Sequence, residues 1–121
     1  MEMDELLRAL ECDCVNATKA RFLEDGAFYL QIAKEALNDP GFERLGTQLA
    51  QEEAAAAFDT AHMLKGLIAN FGITPLYNLT VQIVEALRTE APDAAQLHAL
   101  FAQLMQQRAL DQKILSEFTE A

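Results

Sequence analysis

The sequence predicts an all-α protein, an antiparallel four-helix bundle with short additional helices at its N-terminus. Apolar residues recur at helical spacing along nearly the whole chain, and the strict alternation that marks strands is missing. The interruptions are short and chemically clear: Asp25-Gly26, Asn38-Asp39-Pro40-Gly41, Gly72-Ile73-Thr74-Pro75 and Glu90-Ala91-Pro92. The 121 residues, 51% of them apolar and three of them proline, are enough for one core and too few for two. One domain over 1–121 is expected, with short helices within 3–23 and the bundle over about 27–118.

Met3 to Glu11 is amphipathic, with Leu6, Leu7 and Leu10 on one face. Cys12-Asp13-Cys14 breaks it, and Val15 to Leu23 reads as a second short helix. Asp25-Gly26 signals a turn. Phe28 to Leu37 follows, with Phe28, Tyr29, Ile32, Ala33 and Ala36 as its inner face. Pro40 disfavours helix in the residue before it, so Phe42 to Gln51 resumes at an angle, with Leu45 and Leu49 inward. Alanine-rich sequence from Glu52 to Phe71 gives a long helix that stops at Gly72. Thr74 is expected to cap the next helix, with Pro75 at its first position, and that helix runs to Arg88. Its stripe is Leu76, Leu79, Ile83 and Leu87, and so short a connection makes it antiparallel to its predecessor. Asp93 leads or caps a last helix reaching Phe118, with Leu97, Leu100, Phe101, Leu104, Met105, Ile114, Leu115 and Phe118 on its broad inner face.

The totals exclude several functions. Nineteen acidic residues against nine basic ones give a formal charge of −10. Nucleic acid and anionic membrane surfaces are therefore disfavoured partners, because both require clustered Lys and Arg. No apolar run approaches a membrane span, and the acidic start is no secretory signal, so a cytoplasmic protein is expected. Cys12 and Cys14 make neither a disulfide framework nor a zinc site and are expected to be reduced and without function. His62 and His98 lack carboxylates at ligand spacing, so no metal is expected. His98 reads as an ordinary structural or surface residue. A phosphate-binding glycine loop is absent, so the chain is not expected to use ATP.

The helix over 52–71 carries the chemistry. At about 100° per residue, Ala57, Thr60, Leu64, Leu67, Ile68 and Phe71 fall opposite His62. Phe58, Lys65, Gly66 and Ala69 share its side. The imidazole therefore faces outward, with an ammonium one turn on and two small residues beside it. Gly66 inside a helix costs roughly 1 kcal/mol relative to alanine, yet it points away from the apolar stripe where a packing role would place it. A cleared space beside a basic nucleophile suits a bulky anion. Neutral imidazole keeps a lone pair near neutral pH and is able to attack a phosphoryl group. Lys65 would neutralise its charge. Asn70, about 80° round from His62, stands near the same face. Phe58 has two readings, packing under a neighbouring helix or forming an apolar docking patch that Met63 flanks.

His62-Met63-Leu64-Lys65-Gly66, preceded by Ala61 and followed by Ala69-Asn70-Phe71-Gly72, resembles the motif of histidine-containing phosphotransfer (HPt) domains. The resemblance extends to Arg21-Phe22-Leu23-Glu24-Asp25, Asn38-Asp39-Pro40-Gly41-Phe42 and Ile73-Thr74-Pro75-Leu76-Tyr77. Met63, Leu67 and Ile68 depart from it, standing where family members often have smaller residues. The resemblance implies a monomeric helical bundle that carries phosphate between proteins. His62 would accept a phosphoryl group from the aspartate of a receiver domain, in a response regulator or a hybrid histidine kinase, and donate it to another. Gly66 would give clearance, and Phe58, Met63, Ala69 and Asn70 would meet the partner. The chain itself would need no cofactor, since Mg²⁺ belongs to the receiver. The alternative is a helical binding module that docks on and regulates such a partner without carrying phosphate.

Overall fold

The computed structural model describes residues 2–118 and contains seven α-helices among them, with no strand. They are α1 (Met3–Ala9), α2 (Val15–Arg21), α3 (Gly26–Leu37), α4 (Gly41–Ala50), α5 (Ala54–Ala69), α6 (Thr74–Leu87) and α7 (Ala94–Glu117). α5 packs most extensively on α6, then on α4; α7 closes the ring against α6, α4 and α3. Helices α3 and α4 together form one corner of the four-cornered bundle, and α1 rests on α2 and α7.

Side-chain pairings fix the helix directions. Arg44 Nε donates to Thr60 Oγ1 at 3.4 Å, and Gly41 lies against Met63 and Leu64, so α4 and α5 run in opposite senses. On α7, Phe101 abuts Gly46, whereas Arg108 reaches back to Glu43 and Leu37. α7 is therefore antiparallel to α3 and α4 as well. Arg108 secures the break at Pro40: its guanidinium donates to the Leu37 carbonyl at 3.3 Å and to Glu43 at 2.6 Å, and lies 4.8 Å over the Phe42 ring. Gln112 adds bonds to the Leu37 carbonyl and Asn38 Oδ1 at 3.0 and 3.1 Å.

The core takes one face from each helix, including Leu6, Leu30, Leu37, Phe42, Leu45, Leu64, Ile68, Leu76, Ile83 and Leu104, all essentially inaccessible. Four details differ from expectation. First, α3 is rotated: Tyr29, Leu30, Ala33, Ala36 and Leu37 are buried, whereas Phe28 is 43% exposed and Ile32 is half-buried. The long aliphatic pair Leu30 and Leu37, seven apart, directs the face, and Phe28 turns instead to Phe22, 5.8 Å away. Second, Asp25 accepts from Phe28 N at 3.0 Å and caps α3, so Gly26 opens the helix instead of turning the chain. The left-handed residues that turn it are Leu23 and Glu24, at φ 59° and 56°.

Third, α5 begins at Ala54 and ends at Ala69, shorter than the 52–71 expected. Glu52 has φ 55°, a conformation incompatible with helix. Fourth, Thr74 does not cap α6. It is the first helical residue, with Pro75 after it, and its hydroxyl is engaged by Asp13, whose amide donates to it at 3.1 Å. Asp93 does cap α7, accepting from Ala95 N and Gln96 N.

One polar residue interrupts the inner face of α7. Asp111 is 1% exposed; Gln107 Nε2 donates to its Oδ1 at 3.1 Å, but Oδ2 is buried without a partner. Burial pushes its pKa from 3.8 up to about 7, with the charge of Glu11 adding to the rise and the Gln107 bond opposing it. The folded state thus binds this proton more tightly than the unfolded chain. Its contribution to stability is full below pH ~4 and is lost as pH rises through ~7. Asp111→Asn removes that dependence while keeping an acceptor for Gln107. Melting at pH 5 and pH 8 should show a larger fall for wild type than for the variant, which should melt roughly 3–10 °C higher at pH 8.

Candidate phosphoryl-accepting site

Helix α5 buries Ala57, Thr60, Ala61, Leu64 and Ile68, and this one-sided burial turns His62 outward. Leu67, expected inside, is only half-buried at the edge of the stripe. The end of the helix is fixed by three tethers. Tyr29 donates its buried hydroxyl to the Phe71 carbonyl at 2.7 Å, and its ring meets Phe22 and Phe71 in an aromatic cluster. Burial pushes the Tyr29 phenol up, so it stays a donor. Arg21 donates to the Asn70 carbonyl at 3.0 Å. Gly72, at φ 65°, turns the chain where only glycine fits easily, because a Cβ there would stand 2.5 Å from Thr18 Oγ1.

Of the residues singled out from the sequence, His62, Met63, Gly66, Ala69 and Asn70 are exposed, and Phe58 and Lys65 are half-buried. Gly66 meets nothing: a Cβ built on it has no neighbour within 4 Å, so no helix packs there. Lys65 forms no ion pair among the described residues. Met63, 38% exposed, reaches toward α4, where its Cε would lie 2.6 Å from a Cβ on Gly41. The Asn70 amide donates back to the Gly66 carbonyl at 3.4 Å, which directs it along the helix. His98 is exposed on α7 near Phe101 and Gly46, far along the bundle from this group.

Phe58 satisfies both readings in part. It packs at the rim of the core and its ring stacks on His62, with centroids 5.9 Å apart and planes inclined by 25°. Over the Phe58 ring lies the Arg88 guanidinium, 5.3 Å from the centroid, held by Glu85 at 2.9 Å. The Phe58 ring thus meets both the guanidinium and the imidazole, which restricts the histidine ring, while the Gly66 side stays open. Arg88 is the residue that sequence reasoning missed, having been read only as the end of its helix. The signal was available: in an α5–α6 hairpin turning near Ile73, residues fifteen before and fifteen after the turn come level, and these are Phe58 and Arg88.

Among the described residues, no three His, Cys, Asp or Glu side chains are grouped to hold a metal ion. Nor is any helix among the described residues long and apolar enough to cross a membrane. Two openings lie elsewhere on the bundle, and a shallow groove runs beside Ala69. His62 itself is exposed and lines none of these openings, an arrangement suited to contact with another macromolecule more than to enclosure of a small one.

A family model of the Hpt domain matches residues 18–113, which takes in α3 to α6, the second half of α2 and most of α7. No curated protein matches the chain. No solved structure matches it either. Domains of this family are histidine phosphotransfer carriers of phosphorelays and interact with receiver domains. With that match over most of its length and an all-helical bundle, the chain belongs to the Hpt domain family.

Proposed function

We propose that His62 is the phosphoryl acceptor of a two-component phosphorelay, receiving the group from the aspartate of one receiver domain and donating it to another. The whole of 1–121 acts as one monomeric cytoplasmic domain. The observation that carries this reading is the arrangement at His62: an exposed imidazole oriented by Phe58, with open space over Gly66 one turn on. An incidental surface histidine has no need of either feature.

In the transfer, the lone pair of a ring nitrogen attacks phosphorus of the aspartyl phosphate. The bond from phosphorus to the carboxylate oxygen breaks, and the carboxylate leaves with its electrons. The reverse step hands the group on. Such reactions proceed mainly through alignment and charge neutralisation. Lys65, without an ion pair among the described residues and one turn from His62, supplies one positive charge. Arg88, its charge paired with Glu85, contributes by holding the Phe58 ring that orients the imidazole. The receiver brings Mg²⁺ and the remaining acid–base groups. Phe58, Met63, Ala69 and Asn70 border the contact.

His62→Gln should melt like wild type but take no label from a phosphorylated receiver. Wild-type label should be lost in acid and kept in base. Undiminished labelling of the variant would overturn the assignment and leave a binding module that carries no phosphate.

Lys65→Ala and Arg88→Ala should each slow transfer about tenfold, the equivalent of ~1.4 kcal/mol, without lowering the melting temperature by more than a few degrees.

Gly66→Gln separates stability from use. Its side chain enters open space and glutamine is the better helix former by roughly 0.5–1 kcal/mol, so the fold should gain stability. Transfer should nevertheless slow at least tenfold, because the path to the ring narrows. A variant that transfers normally would remove the clearance role.

A further inference from the structure

We propose that Cys12 and Cys14 are a redox-reactive dithiol that closes to an intramolecular disulfide and, in closing, reshapes the groove at the end of the His62 helix. The two thiols lie in the irregular segment between α1 and α2, with only Asp13 between them, and their sulfurs are 3.9 Å apart. Thr18 Oγ1, fully buried, contacts both, at 3.6 Å from Cys12 Sγ and 3.5 Å from Cys14 Sγ, and so holds them on one side of the chain. A disulfide requires about 2.05 Å between sulfurs. Cys12 N donates to the Leu7 carbonyl and the Cys14 carbonyl accepts from Thr18 N, so the two ends of the segment are held while side-chain rotation, with the Asp13 backbone adjusting between them, closes the difference.

The two sulfurs are unequal in a way that suits the reaction. Cys14 is exposed, whereas Cys12 is half-buried and its thiol is pushed up by burial. Cys14 therefore meets the oxidant, a hydroperoxide. Its thiolate attacks one peroxide oxygen, the O–O bond breaks, the other oxygen leaves as alcohol or water, and Cys14 becomes a sulfenic acid. The Cys12 sulfur then attacks the Cys14 sulfur. The S–S bond forms, the S–O bond breaks, and water departs with the Cys12 proton. Two thiols are oxidised and one peroxide is reduced.

Closure is transmitted through Asp13 and Gly72. Asp13 N donates to Thr74 Oγ1 at 3.1 Å, and that hydroxyl stands 3.0 Å from Asp13 Oδ1, which ties the Cys-Asp-Cys segment to the start of α6. Gly72 is seated against Cys12 Sγ and Thr18 Oγ1, so closely that a Cβ there would fall 2.6 and 2.5 Å from them. Cys14, Ala69, Gly72, Thr74 and Tyr77 line one groove, and Ala69 is two turns on from His62 on the same side of α5. Drawing the sulfurs together moves the wall of that groove. The chemistry holds whether or not His62 carries phosphate.

Hydrogen peroxide treatment of the whole chain tests it. The expected product is a monomer lighter by two hydrogens, with Cys12 linked to Cys14 in the tryptic peptide between Arg8 and Lys19, reversed by dithiothreitol. Amide resonances of Ala69, Gly72 and Thr74 should shift with oxidation and return on reduction. Cys12→Ser and Cys14→Ser should each abolish both effects. Sulfinic or sulfonic acid accumulating on Cys14, a disulfide joining two chains, or a Cys12–Cys14 link that leaves those amides unmoved would overturn the proposal.

Discussion

The burial of one side of α5 is the constraint on which the His62 face depends. Leu64 and Ile68 are inaccessible, each contributing roughly 1.5–3 kcal/mol by leaving water, and Ala57, Thr60 and Ala61 allow α4 and α6 to approach closely. That stabilisation exceeds the ~1 kcal/mol lost at Gly66. It also fixes the rotation of the helix about its axis. With the inner stripe anchored, the outer residues have no freedom to exchange places with it, and the imidazole is held outward by the helix that carries it.

The rest of the molecule restrains that helix at its ends and along its flanks. Tyr29, Arg21 and Gly72 hold the C-terminal end through one buried hydrogen bond, one guanidinium bond and one left-handed turn. At the opposite corner, Arg108 and Gln112 bind α7 to the junction of α3 and α4, where Pro40 removes continuity from the helix. These polar contacts are few, but each satisfies a carbonyl that the break in a helix would leave without a partner. The bundle gains rigidity at the places where its sequence gives up regular structure.

Helices and their inner stripes were legible in the sequence because periodicity reports burial directly. His62, Lys65, Gly66 and Ala69 were legible because all lie on one helix, where angle follows from number. What was not legible depended on contact between elements. The rotation of α3 toward Leu30 and Leu37, and away from Phe28, is decided by neighbours that no single-helix pattern contains. Asp111 breaks the apolar rule at an inward position, and nothing in its local sequence marks it. Thr74 looked like a cap because residue type and the following proline fit one, but Asp13, sixty-one residues earlier, engages its hydroxyl. Arg88 falls between these cases, recoverable from hairpin symmetry once the turn is known.

The open ground over Gly66 bears on how the protein would tell one partner from another. A recessed site selects by shape, admitting what fits and refusing what does not. A ring standing clear on a helix offers no such filter, since any molecule of sufficient reach can touch it. Discrimination is then displaced from the reactive atom to its surroundings. It falls to the outline drawn by Met63 beside α4, Phe58 and Arg88 beside α6, and the groove past Ala69. Chemistry and address overlap at Phe58 and Arg88, whereas Met63 and the groove past Ala69 are free to change without disturbing the ring.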